Sequence, residues 1–296
     1  MLRSLLELSR VSNLPTVWTN VLAAWIIASG PDWRWTPALG WLLLGASLIY
    51  SAGMMLNDAC DAAWDRDHRP ERPIPSGRIG LSTVWAIGLV WLIGGAALMV
   101  LLGGASWMMT VLLLAAIMAY DVYHKPWTGS VIVMGACRTL LYLAAGSAPE
   151  SGEALHHLII NQDGVAAAGV ALGIYIVGLT LLARSEAKGT ATTTTRRVLI
   201  LLLLLPALGS IFSHFAMPLE QWKSLAVLPL FIGLVAYAVM LMKKGGPNIG
   251  AAVGWLLAGI PLVDALAVAH HSLRVAIIFA FLPPLLRLWQ RWVAAT

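Results

Sequence analysis

Charge is what this sequence lacks. Asp, Glu, Lys and Arg make up 11% of its 296 residues, where a soluble domain carries about 25%. That deficit excludes a chain whose surface faces water on every side. Cysteine is almost missing as well. Cys60 and Cys137 stand in or beside apolar stretches, show no metal-ligand spacing and give little ground for a disulfide. A convincing signal-peptide cleavage site is also lacking after the apolar run at 14–29, so a retained first helix is expected. What remains is apolar: 59% of the residues are hydrophobic, and the mean hydropathy is +0.80.

The apolar residues are gathered in runs at 14–30, 38–57, 82–102, 104–120, 130–147, 165–183, 198–216, 223–242, 250–269 and 273–292. Each is near the length of about 20 residues that a bilayer crossing needs. All are expected to be helices, because an open strand would leave backbone groups unpaired in lipid. We therefore expect an all-α polytopic membrane protein, residues 1–296 forming one domain, and the last two runs leave room for one span plus a re-entrant or interfacial piece. Pro15, Pro206 and Pro261 inside the runs are compatible with membrane helices.

The net charge of +5 is better read from its distribution than as a sign of nucleic acid. Of the 19 Lys and Arg, all but Arg34, Lys223, Arg274 and the intrahelical Arg138 fall on one side of the alternating topology. By the positive-inside rule that side, with the N-terminus, is cytoplasmic, and the expected location is the cell's inner membrane. The cytoplasmic stretches 57–81 and 184–197 are long and polar, Thr192–Thr195 reading as solvated loop. Function is expected where such loops sit on a rigid scaffold.

The strongest signal is Asn57-Asp58-Ala59-Cys60-Asp61-Ala62-Ala63-Trp64-Asp65. At about 100° per residue, Asn57, Asp58, Asp61 and Asp65 share about a quarter turn of a helix that continues past the membrane edge. Like charges so spaced destabilise a helix, and ionisable groups near lipid are costly, so the cluster calls for a cation. Carboxylate oxygens completed by phosphate and water are what Mg²⁺ prefers. The alternative is a solvated helix end neutralised by Arg66, Arg69 and Arg72. Arg138 stands inside an apolar helix, where an unpaired guanidinium is expensive. It is expected to line a polar cavity, with a structural salt bridge as the other reading, and Tyr142 lies one turn away. Asp264 reads as a buried, hydrogen-bonded carboxyl. Tyr50, Tyr120, Tyr142 and Tyr175 are candidates for facing an allylic cation with their rings.

The pattern NDxxDxxxD, followed by Arg72-Pro73-Ile74-Pro75-Ser76-Gly77-Arg78, resembles the first signature of the UbiA superfamily of intramembrane prenyltransferases. Arg10-Val11-Ser12-Asn13-Leu14-Pro15-Thr16 resembles that family's first helix, and Tyr120-Asp121-Val122-Tyr123-His124-Lys125 its tyrosine-to-lysine segment. The resemblance runs through about residues 8–190. It implies nine core helices around a central cavity, possibly with a tenth apolar segment here. It also implies a polyprenyl diphosphate held through Mg²⁺ and transfer of the prenyl group to a hydrophobic acceptor in the bilayer. On that reading Asn57, Asp58, Asp61, Asp65 and Glu186 are the metal ligands. Arg72, Arg78, Lys125, Arg184 and Lys188 grip the diphosphate, and Asp61, Asp65, Arg138 and Asp121 are the catalytic set. The family's second aspartate cluster is reduced here to Glu186, between Arg184 and Lys188. A transporter or lipid-binding protein that keeps the fold without the chemistry is the alternative.

Overall fold

A computed structural model of the chain describes residues 2–125, 127, 129–149, 163–187, 193–216, 222–244 and 247–292. Among these residues there is helix and turn and no strand, as a chain solvated by lipid requires. The helices are α1 (Leu2–Leu8), α2 (Leu14–Ser29), α3 (Pro37–Cys60), α4 (Ala62–His68), α5 (Leu81–Ala97), α6 (Trp107–Tyr123) and α7 (Ser130–Gly146). They continue with α8 (Asp163–Ala187), α9 (Thr193–Ala216), α10 (Trp222–Lys244), α11 (Pro247–Ala258), α12 (Ile260–Val268), α13 (Leu273–Ala280) and α14 (Leu282–Trp289). A π-turn, Leu98–Leu102, prolongs α5.

Among the described residues six helices are long and apolar enough to cross a bilayer, and three shorter apolar helices lie at Trp107–Tyr123, Ser130–Gly146 and Arg197–Ser210. The chain is thus a multi-pass, all-α membrane protein. Helices α11 and α12 together make one stretch long and apolar enough to cross, Asn248–Val268. They break at Gly259 because Pro261, in the first turn of α12, brings no N–H. The last apolar run is two helices of 8 residues each rather than one. Pro283 and Pro284 after Phe281 withdraw two donors and end the ladder there. The threonine run also differs from expectation: Thr193–Thr195 open α9 instead of lying in a loop.

Why these helices start and meet where they do is visible locally. The Thr36 hydroxyl accepts the Leu39 N–H and Pro37 follows at the first helical position, so α3 begins with one orphan donor capped and another absent. Helices α3 and α5 meet at Gly45 and Gly95. A Cβ on Gly45 would stand 2.6 Å from the Gly95 carbonyl oxygen, and one on Gly95 2.7 Å from that of Gly45. Gly135 of α7 meets the Gly173 carbonyl of α8 in the same way, at 2.6 Å. Lipid tails are as apolar as the side chains, so this close backbone packing is what holds membrane helices together. Outward-facing Val90, Ile93 and Leu101 are exposed, which suits acyl chains.

The packing leaves a cavity of about 260 Å³ among α2, α3, α6, α7, α8, α11 and α12, lined by such residues as Val17, Ile49, Leu113, Leu141, Ile176 and Leu257. Its polar lining comes from Arg10, Asn13, Tyr50, Tyr120, Asp121 and Thr180, and from Arg138. Beside it, Leu8, Met55, Ala59, Ile79 and Val84 form a second apolar cluster with Ile74 packed on it. That cluster pins the loop carrying Arg72 to the end of α3.

Candidate functional site

The acidic segment does not lie on one unbroken helix. α3 ends at Cys60, and Asp61 is the junction residue before α4. The Asp61 N–H nevertheless bonds the Asn57 carbonyl at 3.0 Å, and the Asp65 N–H bonds that of Asp61 at 2.9 Å. The i to i−4 register therefore carries across the junction, and with it the shared arc.

The side chains then divide between two sets of cations. Arg72 Nη1 donates to Asp65 Oδ2 at 2.7 Å and to Asp58 Oδ1 at 3.2 Å. Arg10 Nη2 reaches the same Asp58 oxygen at 3.4 Å. Arg72 is aimed by its loop: the Ser76 N–H and hydroxyl both bond the Arg72 carbonyl, and the chain turns at Gly77, whose φ of 74° favours glycine. Arg10 itself has φ 44°, a strained value for a residue with a side chain and one that concentrates at functional sites.

Asp61 faces the end of α6 instead. Lys125 Nζ lies 2.7 Å from Asp61 Oδ1, and His124 Nε2 lies 3.4 Å from Oδ2. Lys125 also sits over the Trp64 ring, 4.2 Å from its centroid, a cation–π contact. Asp121 is buried, and its Oδ1 accepts the Asn57 amide at 3.2 Å. Arg184 Nη2 donates to the His124 carbonyl at 2.9 Å, bringing α8 to the same place.

Both ring nitrogens of His124 meet acceptors, since Nδ1 lies 3.2 Å from the Asp121 carbonyl, and only the imidazolium donates from both. The hydrogen bond to Asp61 accordingly pushes the His124 pKa up. Burial alone would push the Asp61 carboxyl up, but the hydrogen bonds from His124 and Lys125 outweigh it and hold it below its usual range. The raised His124 pKa gives stability that is complete below about pH 6.5 and lost as pH rises through the folded-state value. The lowered Asp61 pKa gives stability present above about pH 4 and lost as pH falls through its own folded-state value. A His124→Gln chain should therefore show a flatter Tm above about pH 6.5 than the wild type. Parallel Tm curves for the two chains from pH 5 to 9 would refute the pairing.

Of the other residues singled out in the sequence, Arg78 is drawn elsewhere. Its guanidinium forks onto Glu7 at 2.9 and 3.3 Å and also bonds the Glu71 carbonyl, in the open. Arg138 lines the cavity but touches none of these acids, bonding Asn20 and Thr16. Tyr50 and Tyr120 line the cavity. Tyr142 and Tyr175 are fully committed to Asp264 and to the Leu256 carbonyl. Lys188 and the Glu186 side chain lie outside the described residues, as do His156 and His157. Arg10, His124 and Asn20 were not among the expected site residues. Arg10 stood in a recognised motif, and His124 lay beside Lys125. Nothing in the sequence marked Asn20.

Acids and cations are gathered at one end of an apolar cavity inside a helical membrane bundle. A family model, the UbiA prenyltransferase family, matches residues 14–190, and the chain belongs to that family. It is 35% identical over 95 residues to digeranylgeranylglyceryl phosphate synthase of Sulfolobus acidocaldarius, covering 30% of this chain and 34% of that one. It is also 35% identical over 80 residues to 4-hydroxybenzoate octaprenyltransferase of Acidovorax ebreus, covering 26% and 27%. The chain spans about a third to a half of the length of the first curated relatives it matches. The fold is that of a UbiA homologue from Aeropyrum pernix, with a TM-score of 0.60 at 15% identity over 87% of this chain and 96% of that one.

Proposed function

We propose that the chain transfers a prenyl group from a polyprenyl diphosphate to an acceptor inside the membrane, using a divalent cation, Mg²⁺ by its chemistry. The observation that carries this is a pair of buried carboxylate oxygens without a donor, Asp65 Oδ1 and Asp121 Oδ2, within a cluster that already holds Arg10, Arg72 and Lys125. A buried acceptor left unpaired is costly. Oxygens of that kind, one or two per ion with phosphate and water completing the shell, fit Mg²⁺. Among the described residues no three His, Cys, Asp or Glu converge as an all-protein metal cage, which suits an ion held jointly with a substrate.

One or two of Asp58, Asp61, Asp65 and Asp121 would hold an ion together with the substrate, with Asn57 beside them, Asp65 and Asp121 offering the oxygens without a donor, and Glu186 is a further candidate by its position in the sequence. When bound, the ion offsets the negative charge that grows on the departing diphosphate. The chain's own residues do the rest. Arg10, Arg72, Lys125 and Arg184 are within one cluster and can grip diphosphate oxygens, Arg by its planar fork and Lys as a point charge. Breakage of the C–O bond leaves an allylic cation in a cavity with apolar walls, where water is excluded; Tyr50 and Tyr120 line it, each with one ring face already taken, by Arg138 and by His124. The relatives' names, with a glyceryl phosphate and a hydroxybenzoate, favour a lipid-like or aromatic acceptor. Charge distribution favours the cytoplasmic face of the inner membrane for the site.

The test is pyrophosphate release by the purified chain given geranylgeranyl diphosphate, Mg²⁺ and a panel of phenolic and glycerol-phosphate acceptors. Release that depends on both Mg²⁺ and an acceptor supports the reading. Tight diphosphate binding with no release under any condition would leave a lipid-binding protein in its place.

A further inference from the structure

At the inner end of the central cavity Arg138 bonds Asn20, and Asn20 Nδ2 donates in turn to Asp264 Oδ2 at 2.8 Å. The chain seats that end itself. A second cavity, of about 340 Å³, lies among α8, α9 and α10, and the prenyl-transfer reading does not use it. Its walls are apolar, with Leu182 from α8, Leu199 and Leu203 from α9, and Val239 and Met242 from α10. Leu182 stands two residues before Arg184, which reaches the His124 carbonyl. The second cavity is therefore at the end of the bundle that carries the acidic cluster.

Two cations complete its lining. Arg197 lies in the second turn of α9 and Lys243 in the last turn of α10, and both are exposed. Among the described residues no carboxylate pairs with either. Basic residues near helix ends commonly do no more than hold their charge at the headgroup level, with their stems along apolar surface. Lys244 fits that ordinary role, being exposed but absent from the cavity lining. Arg197 and Lys243 differ from it, because two separate helices bring them to one apolar hollow.

We propose that this hollow binds one anionic phospholipid of the surrounding bilayer, its phosphate held by Arg197 and Lys243. The charges select an anion: the guanidinium fork matches phosphate oxygens, and the ammonium adds a point charge. The walls select a lipid over a free phosphate ion, which would leave those apolar side chains against water. The volume is within the range of ligand pockets, with room for a glycerol backbone and the upper part of an acyl chain. The rest of the chain runs along Val198 and Leu201, exposed on the outside of α9. A zwitterionic lipid is disfavoured, since its own ammonium would face the two cations already there. Basic pockets between membrane helices take anionic headgroups on this principle.

The test uses the purified full chain in a maltoside detergent, with dioleoylphosphatidylglycerol or dioleoylphosphatidylcholine added at equal mole fraction. The two lipids share acyl chains and a phosphate and differ in net charge. Phosphatidylglycerol should raise the Tm by several degrees in a saturable manner, and phosphatidylcholine by less than a third as much. Glycerol 3-phosphate and inorganic phosphate should give no comparable shift, and inorganic pyrophosphate should not displace the lipid. The phosphatidylglycerol shift should fall at least fivefold when Arg197→Gln and Lys243→Gln are combined. It should fall as far in Ile200→Trp, which fills the cavity and keeps both charges, and should persist in Lys244→Gln. Equal shifts from the two lipids, no shift from either, a free-phosphate shift equal to the lipid's, or displacement by pyrophosphate would each overturn the site. So would a full shift in the double variant or in Ile200→Trp, or an equal loss in Lys244→Gln. The two-lipid comparison is made on the wild-type chain, so it stands even if a variant does not fold. None of these readouts requires prenyl transfer, so the site stands or falls apart from that reading.

Discussion

Replacing Asp65 with Asn is expected to slow prenyl transfer by about 100-fold, about 2.7 kcal/mol of transition-state stabilisation. Asp65 is the most buried carboxylate of the cluster, 1% exposed. One oxygen takes Arg72 at 2.7 Å, and the other has no donor. Asparagine keeps the shape, so the helix junction at Asp61 should stand, but it withdraws one negative charge and puts an N–H₂ where an acceptor oxygen was. Pyrophosphate release at saturating substrate measures the effect, with gel filtration confirming a folded chain. The Mg²⁺ concentration for half-maximal rate should rise with it. A folded Asp65→Asn chain within threefold of the wild-type rate would remove Asp65 from the site.

Arg72→Gln should act on stability as well as on rate. Asp65 loses its one ion pair and Asp58 keeps only Arg10, at 3.4 Å. Breaking a buried pair costs about 3–5 kcal/mol, and the surviving Arg10 contact places this case near the lower figure. A Tm fall of roughly 6 °C or more follows. The contrasting change is Arg78→Gln, which breaks an exposed pair with Glu7 and should cost less than about 1 kcal/mol. Millimolar Mg²⁺ should restore more of the Tm in Arg72→Gln than it adds to the wild type, because a divalent cation replaces charge that the arginine supplied. Equal Tm values for Arg72→Gln and Arg78→Gln would show that the loop arginine is not seated on the acids.

The acidic arc was legible in the sequence because helical register is a local property, and it persists across the junction at Asp61. The division of its side chains was not. Which cation each carboxylate meets depends on the turn after α6, which delivers Lys125 and His124, and on the loop that aims Arg72. Arg78 shows the same limit from the other side, since its two-residue distance from Ser76 said nothing of Glu7 on α1. Arg138 was legible as a cost, a charge in an apolar helix that demanded a polar surrounding. Its seat was not, because Asn20 and Asp264 are 244 residues apart in the chain and neither lies in a motif. The broken tenth run had its signal in plain view: adjacent prolines at 283 and 284 could not continue a helix.

The seat of Arg138 also sets an order on the making of the protein. Asn20, Arg138 and Tyr142 are synthesised early, yet the carboxylate that ties Asn20 and Tyr142 together arrives only with α12. At roughly 5–20 residues per second, the first helices wait on the order of ten seconds in the membrane with polar groups whose permanent partner has not been made. Those helices must spend that time shielded by water, by one another or by an insertion factor. The inner end of the cavity is therefore complete only once α12 is in place.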